Sequence, residues 1–328
     1  MELRILNADE VRRALPMAEA VEAMKRAFGL LSAGEVSMPL RSRIEIAEAQ
    51  ATALFMPAYG PGAGLAVKIV SVFPRNPGAG LPTIHAVVIV LDARSGAPIA
   101  LLEGASLTAI RTGAASGAAT DLLARKDSRV AAVFGSGAQA RTQLEAVCTV
   151  RQIEAAWVYG IDSPGVEAFV REMAGRGPIP RDLRIASSPE EAIAEADVIC
   201  TATTSSTPVF PGRQVRPGTH VNAVGSYAPE MQEIDSDLVA RALVVVDSRQ
   251  AALVESGDLV IPLRQGRLRP EAIHAELGEI VKGARAGRTS DEQITLFKSV
   301  GVAIQDVVAA GAALKRAEEA QIGLAVYL

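Results

Sequence analysis

Two kinds of feature in this 328-residue chain have residue types and spacing suited to chemistry. The first is Gly135-Ser136-Gly137-Ala138-Gln139-Ala140, directly after the apolar run Arg129–Phe134. A glycine turn between a strand and a helix is the local form of a dinucleotide site. Gly135 allows a sharp turn, Gly137 lets the backbone approach a pyrophosphate, and Ala140 lets the helix pack closely on the strand. The helix then offers its first amides to the phosphates. An acid about twenty residues further on would bind the ribose hydroxyls of NAD. Gly160 stands at that place, and the nearest following acid is Asp162. No arginine follows directly to meet a 2′-phosphate, so the pattern leans to NAD over NADP. Asp162 has an alternative role as the cap of the next helix.

The second feature is a pair of isolated cations. Lys68 is the only charged residue between Glu48 and Arg75, inside Leu65-Ala-Val-Lys-Ile-Val. Arg111 is the only one between Glu103 and Asp121. A cation among small and apolar residues is costly unless it meets an anion. A bound carboxylate would serve, and arginine offers a two-pronged fork for one. A desolvated lysine can also have its pKa lowered into the range useful for proton transfer. The alternatives are an ordinary salt bridge or a snorkelling stem. Arg41 and Arg43 share a strand face and read first as solvated. Of the three histidines, His220 and His274 read as structural, and His85 follows Leu81-Pro-Thr83 at a strand start.

Composition narrows the class. Apolar residues make up 49% and charged residues 21%, enough for a large buried core. A net charge of −4 gives no electrostatic footprint for nucleic acid or an anionic membrane. Cys148 and Cys200 are the only cysteines and lack metal-ligand spacing, so we expect no metal and a reducing, cytoplasmic setting. The opening MELRILNADEVRR lacks an apolar leader segment, and the apolar runs are too short to span a bilayer.

These groups need elements to hold them. Apolar residues at helical spacing predict a helix over 9–32, and alternation at Leu40, Ser42, Ile44 and Ile46 predicts a strand. Further strands are expected at 53–56, 65–73 and 84–92, giving a mostly antiparallel layer over 35–103. A helix of small residues over 106–124 follows. From 129 the rhythm alternates. Strands are expected at 129–134, 155–159, 183–186, 197–202, 220–224 and 243–247, with helices at 139–150, 163–174 and 189–196. Six such strands predict an α/β fold, a Rossmann-type doubly wound parallel sheet. A closing apolar helix is expected over 293–317.

Several stretches, taken in order, resemble the ornithine cyclodeaminase/mu-crystallin family. They are Met38-Pro-Leu-Arg41, Val67-Lys68, Leu81-Pro-Thr83, Ala109-Ile-Arg111-Thr-Gly-Ala, Gly135-Ser-Gly-Ala-Gln139, Val221-Asn-Ala-Val-Gly225, Val246-Asp-Ser248, Glu255-Ser-Gly257 and Leu296-Phe-Lys-Ser-Val-Gly301. The resemblance implies an N-terminal α+β substrate and dimerisation domain over 1–124, joined by a C-terminal helix over 303–328. A Rossmann domain over 125–302 would bind NAD or NADP. It further implies that Arg41 and Arg111 hold a substrate carboxylate, that Lys68 is the active-site lysine, and that Thr83 touches substrate. The expected cofactor contacts are Gly135, Ser136, Gly137, Ala138, Gln139 and Asp162. Thr201, Ala202, Thr203, Val224, Gly225 and Ser226 complete the set at two further strand ends.

One departure matters. Where the cyclodeaminases carry an aspartate after Asn-Ala-Val-Gly, this chain has Tyr227, and Glu230, Glu233 and Asp235 lie further along. That pattern looks more like the reductase and dehydrogenase branches. The expected activity is therefore NAD(P)-dependent reduction of a small α-imino acid by a homodimer. A cyclic ketimine, or alanine/pyruvate chemistry, is the substrate class. Met56, Val70, Phe73 and Tyr227 are candidate pocket walls. A cyclodeaminase and a crystallin-like binding protein are the rival readings.

Overall fold

The computed structural model describes residues 2–39 and 41–327. The expected strand position Leu40 lies outside the described residues. The chain divides into two compact units, Met1–Arg111 with Ala303–Leu328, and Thr112–Val302. The division falls inside a helix at 111/112, and the boundary that the resemblance implies is 124/125.

Unit 1 begins with β1 (Glu2–Leu6), α1 (Ala8–Ala14) and α2 (Met17–Ser32). The strands β2 (Ser42–Ile46), β3 (Ala51–Gly60), β4 (Gly64–Val72), β5 (Ile84–Leu91) and β6 (Pro98–Glu103) follow. The long α3 (Gly104–Leu123) contains the division between the units. The single helix expected over 9–32 is two. Asn7 starts α1 with a reciprocal capping box to Glu10, and Pro16, in extended backbone, starts α2. A residue before proline is pushed out of the helical region, so α1 stops at Ala14. The sheet runs β1-β6-β5-β4-β3-β2, antiparallel except for the parallel β1–β6 pair.

Alternation gives this sheet two unlike faces. Met56 on β3, Lys68 on β4 and Val88 on β5 are paired in register, and all three are buried. The other face carries Phe55, Ile69 and Val87, also in register. Phe55 and Ile69 are half-buried and Val87 is exposed.

Unit 2 is built from β7 (Val130–Phe134), α4 (Ala138–Val150), β8 (Ala155–Tyr159), α5 (Ser163–Met173), β9 (Asp182–Ile185), α6 (Pro189–Ile193), β10 (Val198–Thr201) and β11 (His220–Ala223). It continues through α7 (Ser236–Arg241), β12 (Leu243–Val246), α8 (Arg249–Glu255), α9 (Gly257–Arg264), β13 (Ile273–Glu276), α10 (Leu277–Val281) and β14 (Thr295–Lys298). The eight strands run in parallel, in the order β13-β12-β14-β11-β10-β7-β8-β9. From β7 the chain builds outward through β8 and β9, then crosses to β10. The switch point of this doubly wound sheet is thus the β7–β10 pair, beside the glycine turn.

The chain returns to unit 1 through α11 (Ala303–Glu319) and β15 (Leu324–Tyr327), which pairs with β1. The closing helix expected over 293–317 is therefore a strand followed by a helix. Thr295–Lys298 is a short run buried on both faces between β11 and β12, and periodicity alone does not separate such a run from a helix. Gly301, at φ +82°, turns the chain between the two. The carboxylate of Asp247 fixes that turn by accepting from Ser299 Oγ and from the amides of Val300 and Gly301. Helix α11 packs on β3, β4 and β5 and on α2, closing the face that carries Lys68.

Candidate active site

Unit 1 brings the two isolated cations together. Lys68 projects from the middle of β4 and is 3% exposed. Arg111 lies on α3 and is also buried. Between them stands a residue not foreseen from the sequence, Asp306 on α11. Its Oδ2 lies 2.7 Å from Lys68 Nζ, and its Oδ1 accepts from Arg111 Nε at 3.1 Å. Gln305 Oε1 accepts from Arg111 Nη1 at 3.0 Å. The cost of burying the cations is thus met in part inside the protein. The pattern that singled out Lys68 and Arg111 also marks Asp306, the only charge between Lys298 and Lys315.

The electrostatics follow. Burial is the largest influence on Lys68 and lowers its pKa to about 8. Asp306 opposes that shift, while the Arg111 and Arg41 charges add to it. Arg41 therefore acts on the same group, from a half-buried position just before β2. For Asp306 burial favours the neutral form, yet Lys68 and Arg111 outweigh it and hold the carboxyl below its usual range. A lysine near neutrality beside two guanidiniums suits binding a carboxylate and passing a proton. Thr83 is half-buried at the foot of β5, its carbonyl accepting from Phe73 N. Of the expected wall residues Met56 is buried beside Lys68 in register, Val70 and Phe73 are half-buried, and Tyr227, in unit 2, is 57% exposed.

Unit 2 holds the glycine turn as its sequence implied. Gly135 has φ +104°, and a side chain there would bring Cβ within 2.6 Å of the Ala202 carbonyl at the end of β10. Gly137 starts α4 with no side-chain cap, and a Cβ on it would meet nothing within 4 Å. The first amides of α4 therefore face open space beyond Gly137. Ala138 is exposed and Gln139 half-buried in that first turn. Asp162 precedes α5 without a side-chain cap bond. A Cβ on Gly165 would come within 2.3 Å of Asp162 Oδ2 and 3.1 Å of Ser136 Oγ. The carboxylate thus lies against the first turn of its own helix without a cap bond, in the neighbourhood of Ser136.

The strand ends beside the turn are tied by Glu233, which the sequence marks only as one of the acids beyond Tyr227. Glu233 is fully buried and accepts from Thr201 Oγ1 (2.9 Å), Thr203 N (2.6 Å), Thr203 Oγ1 (2.8 Å), Gly225 N (2.7 Å) and Ser226 N (3.2 Å). Burial and the nearby Asp258 push its carboxyl up, against Lys298 and the Thr203 bonds. Asp258 in turn accepts from the amides of Glu233 and Ile234 and pairs with the buried Lys298 at 2.9 Å. Thr201 and Thr203 therefore spend their hydroxyls on the protein. Ala202 N and Val224 N bond to Phe134 O and Thr201 O, locking β7, β10 and β11 together at this end.

Three other buried groups are kept uncharged. Burial pushes the Cys148 and Cys200 thiols up to about 12, far from a nucleophilic thiolate. Burial holds His220 neutral, with a pKa of about 3, between Thr295 and Asn222. Among the described residues no cluster of His, Cys, Asp and Glu could hold a metal ion, and no helix is long and apolar enough to cross a membrane.

The chain is similar to known proteins over nearly its whole length. The family model described as the ornithine cyclodeaminase/mu-crystallin family matches residues 1–321. A Delta(1)-pyrroline-2-carboxylate reductase of Bacillus cereus is 42% identical over 321 residues, 97% of this chain and 98% of that protein. An alanine dehydrogenase of Archaeoglobus fulgidus is 37% identical over 324 residues, 98% of each chain. Among solved structures, the Thermococcus litoralis Delta(1)-pyrroline-2-carboxylate reductase in complex with NADH and L-proline has a TM-score of 0.93 at 43% identity. That match covers 98% of this chain and 100% of the other.

Proposed function

The chain belongs to the ornithine cyclodeaminase/mu-crystallin family, and we propose that within it this protein is an NAD(P)-dependent oxidoreductase that reduces a small α-imino acid. A cyclic ketimine such as pyrroline-2-carboxylate or piperideine-2-carboxylate is the favoured substrate. The observation that carries this reading is the buried Lys68 and Arg111 joined through Asp306, with burial lowering the Lys68 pKa to about 8.

The glycine turn fits a dinucleotide, since Gly135 tolerates no side chain and the α4 amides beyond Gly137 are uncapped. The chemistry that a reduced nicotinamide would supply there is a hydride for the imine carbon. The chain's own residues do the rest. Arg111 and Arg41 hold the carboxylate and fix the orientation of the imine. Lys68 passes a proton to the nitrogen, so the product leaves as an amine. Thr83 adds a hydrogen bond. Asp162, near Ser136 of the turn, is the acid available to bind the ribose hydroxyls and to disfavour a 2′-phosphate, which favours NAD.

The lyase reading is less well supported. Tyr227 stands at the aspartate position. Glu233 is committed to backbone and hydroxyl donors, and Asp235 accepts from the amides of Gly212 and Asp237. We also propose a homodimer, formed through the apolar face of unit 1 that carries Phe55, Ile69 and Val87.

Steady-state oxidation of NADH and NADPH with a panel of cyclic ketimines, and with pyruvate plus amine, tests the reading. Turnover with the ketimines is expected. Ammonia and proline from ornithine, without net NADH, would overturn it in favour of the cyclodeaminase. Lys68→Ala should lower turnover by about 10²–10⁴-fold while leaving NADH binding intact. Unimpaired turnover in that variant removes Lys68 from the mechanism.

A further inference from the structure

We infer that Asp306 is a positioning residue that fixes the Lys68 ammonium for proton transfer and reserves the Nη2 edge of Arg111 for the substrate carboxylate. This inference rests on the proposed role of Lys68 as proton donor.

The geometry carries it. Asp306 uses its two oxygens on two different cations, Oδ2 on Lys68 at 2.7 Å and Oδ1 on Arg111 Nε at 3.1 Å. Lysine has a flexible four-carbon stem, and one anchored oxygen selects a single position for its head. Arginine is a planar fork, and holding Nε orients the whole plane. Gln305 takes Nη1, so these two neighbours on α11 leave Nη2 outside their bonds. All four side chains are nearly or fully buried, so water does not screen the arrangement.

The choice of an acid follows from charge. Lys68 is approached by Asp306 from α11, by Arg111 from α3, and by Arg41 from the segment before β2. Its in-register neighbours Met56 and Val88 are uncharged. Asp306 is thus the single counter-charge set against two arginines and burial. Without it the two guanidiniums and the apolar surroundings would strip the proton from Lys68 at neutral pH, and reduction would lose its donor.

The test compares Asp306→Asn, Asp306→Glu and wild type across pH, using NADH and the ketimine that gives the highest turnover. In wild type the rate of reduction should fall as pH rises past about 8, where Lys68 loses its proton. Asp306→Asn should move that descending limb down by about one pH unit or more, so that lowering the pH restores part of the lost rate. Asp306→Glu, which keeps the charge but moves it, should hold the limb in place and raise the ketimine KM by about tenfold, while the NADH KM is unchanged. A uniform loss at every pH in Asp306→Asn, with the limb unmoved, would overturn the inference. Should Asp306→Asn not fold, wild-type ketimine KM in Asp306→Glu would overturn it. Failure of the underlying reading looks different, because Lys68→Ala would then keep full turnover.

Discussion

At the scale of single residues, the site depends on charges that are expensive to bury and on one acid that makes them tolerable. Lys68, Arg111 and Asp306 form a set in which two positive groups share one negative group. A substrate carboxylate completes the balance, so binding an anion is favoured electrostatically before any shape is considered. The lowered pKa of Lys68 has a directional consequence. A proton donor must be charged and a proton acceptor neutral. Reduction of the imine should therefore decline as pH passes about 8, and oxidation of the corresponding amino acid should rise over the same interval. Initial rates measured in both directions across pH 6–10 check this, with that interval set at about two units either side of the lysine pKa. Two limbs of the same sign would show that another group controls proton transfer.

At the scale of elements, the glycine turn and the strand beside it act as one piece. The two glycines do different work, and substitution separates them. Gly135→Ala forces a side chain onto φ +104° and against the Ala202 carbonyl, so both the melting temperature and NADH affinity should drop, with a stability loss of about 1–3 kcal/mol. At Gly137 a Cβ has no protein atom within 4 Å, so the melting temperature of Gly137→Val should stay close to wild type while NADH binding is lost. Thermal unfolding and NADH fluorescence titration, run on both variants, read out the contrast. Most of these elements were legible in the sequence because their signals are local. The turn is a strand, two glycines and a helix in succession, and β2 to β5 alternate. What escaped was non-local. β14 reads as part of a helix until its place between β11 and β12 is known. Glu233 looks like one acid among several, and only the fold shows it gathering the ends of β10 and β11. Asp306 carried the same isolated-charge signal as its partners, but its location opposite Lys68 depends on α11 returning to a sheet far earlier in the chain.

At the scale of the whole molecule, unit 1 has an asymmetric sheet. One face is sealed by α11, and the other presents Phe55, Ile69 and Val87 in register. Among the described residues, α11 packs on β3, β4 and β5 from the first face. Val87→Arg places a charge there at a position that is 36% exposed, so the folded chain can accept it. Light scattering after gel filtration should find wild type at twice the chain mass and Val87→Arg at the chain mass. A wild-type monomer would discard the dimer proposal.

The return of α11 also sets an order of events during synthesis. Lys68 and Arg111 leave the ribosome early, and the carboxylate that neutralises them is made only after the whole of unit 2. Unit 2 is one continuous stretch and can complete its own sheet, whereas unit 1 must wait for residues 303 onward to cover its lysine. A chain interrupted before residue 303 would hold the two cations without Asp306 and the sheet without α11. The same helix that shapes the site therefore ties assembly of the charge set to residues that follow the whole of unit 2 in the chain.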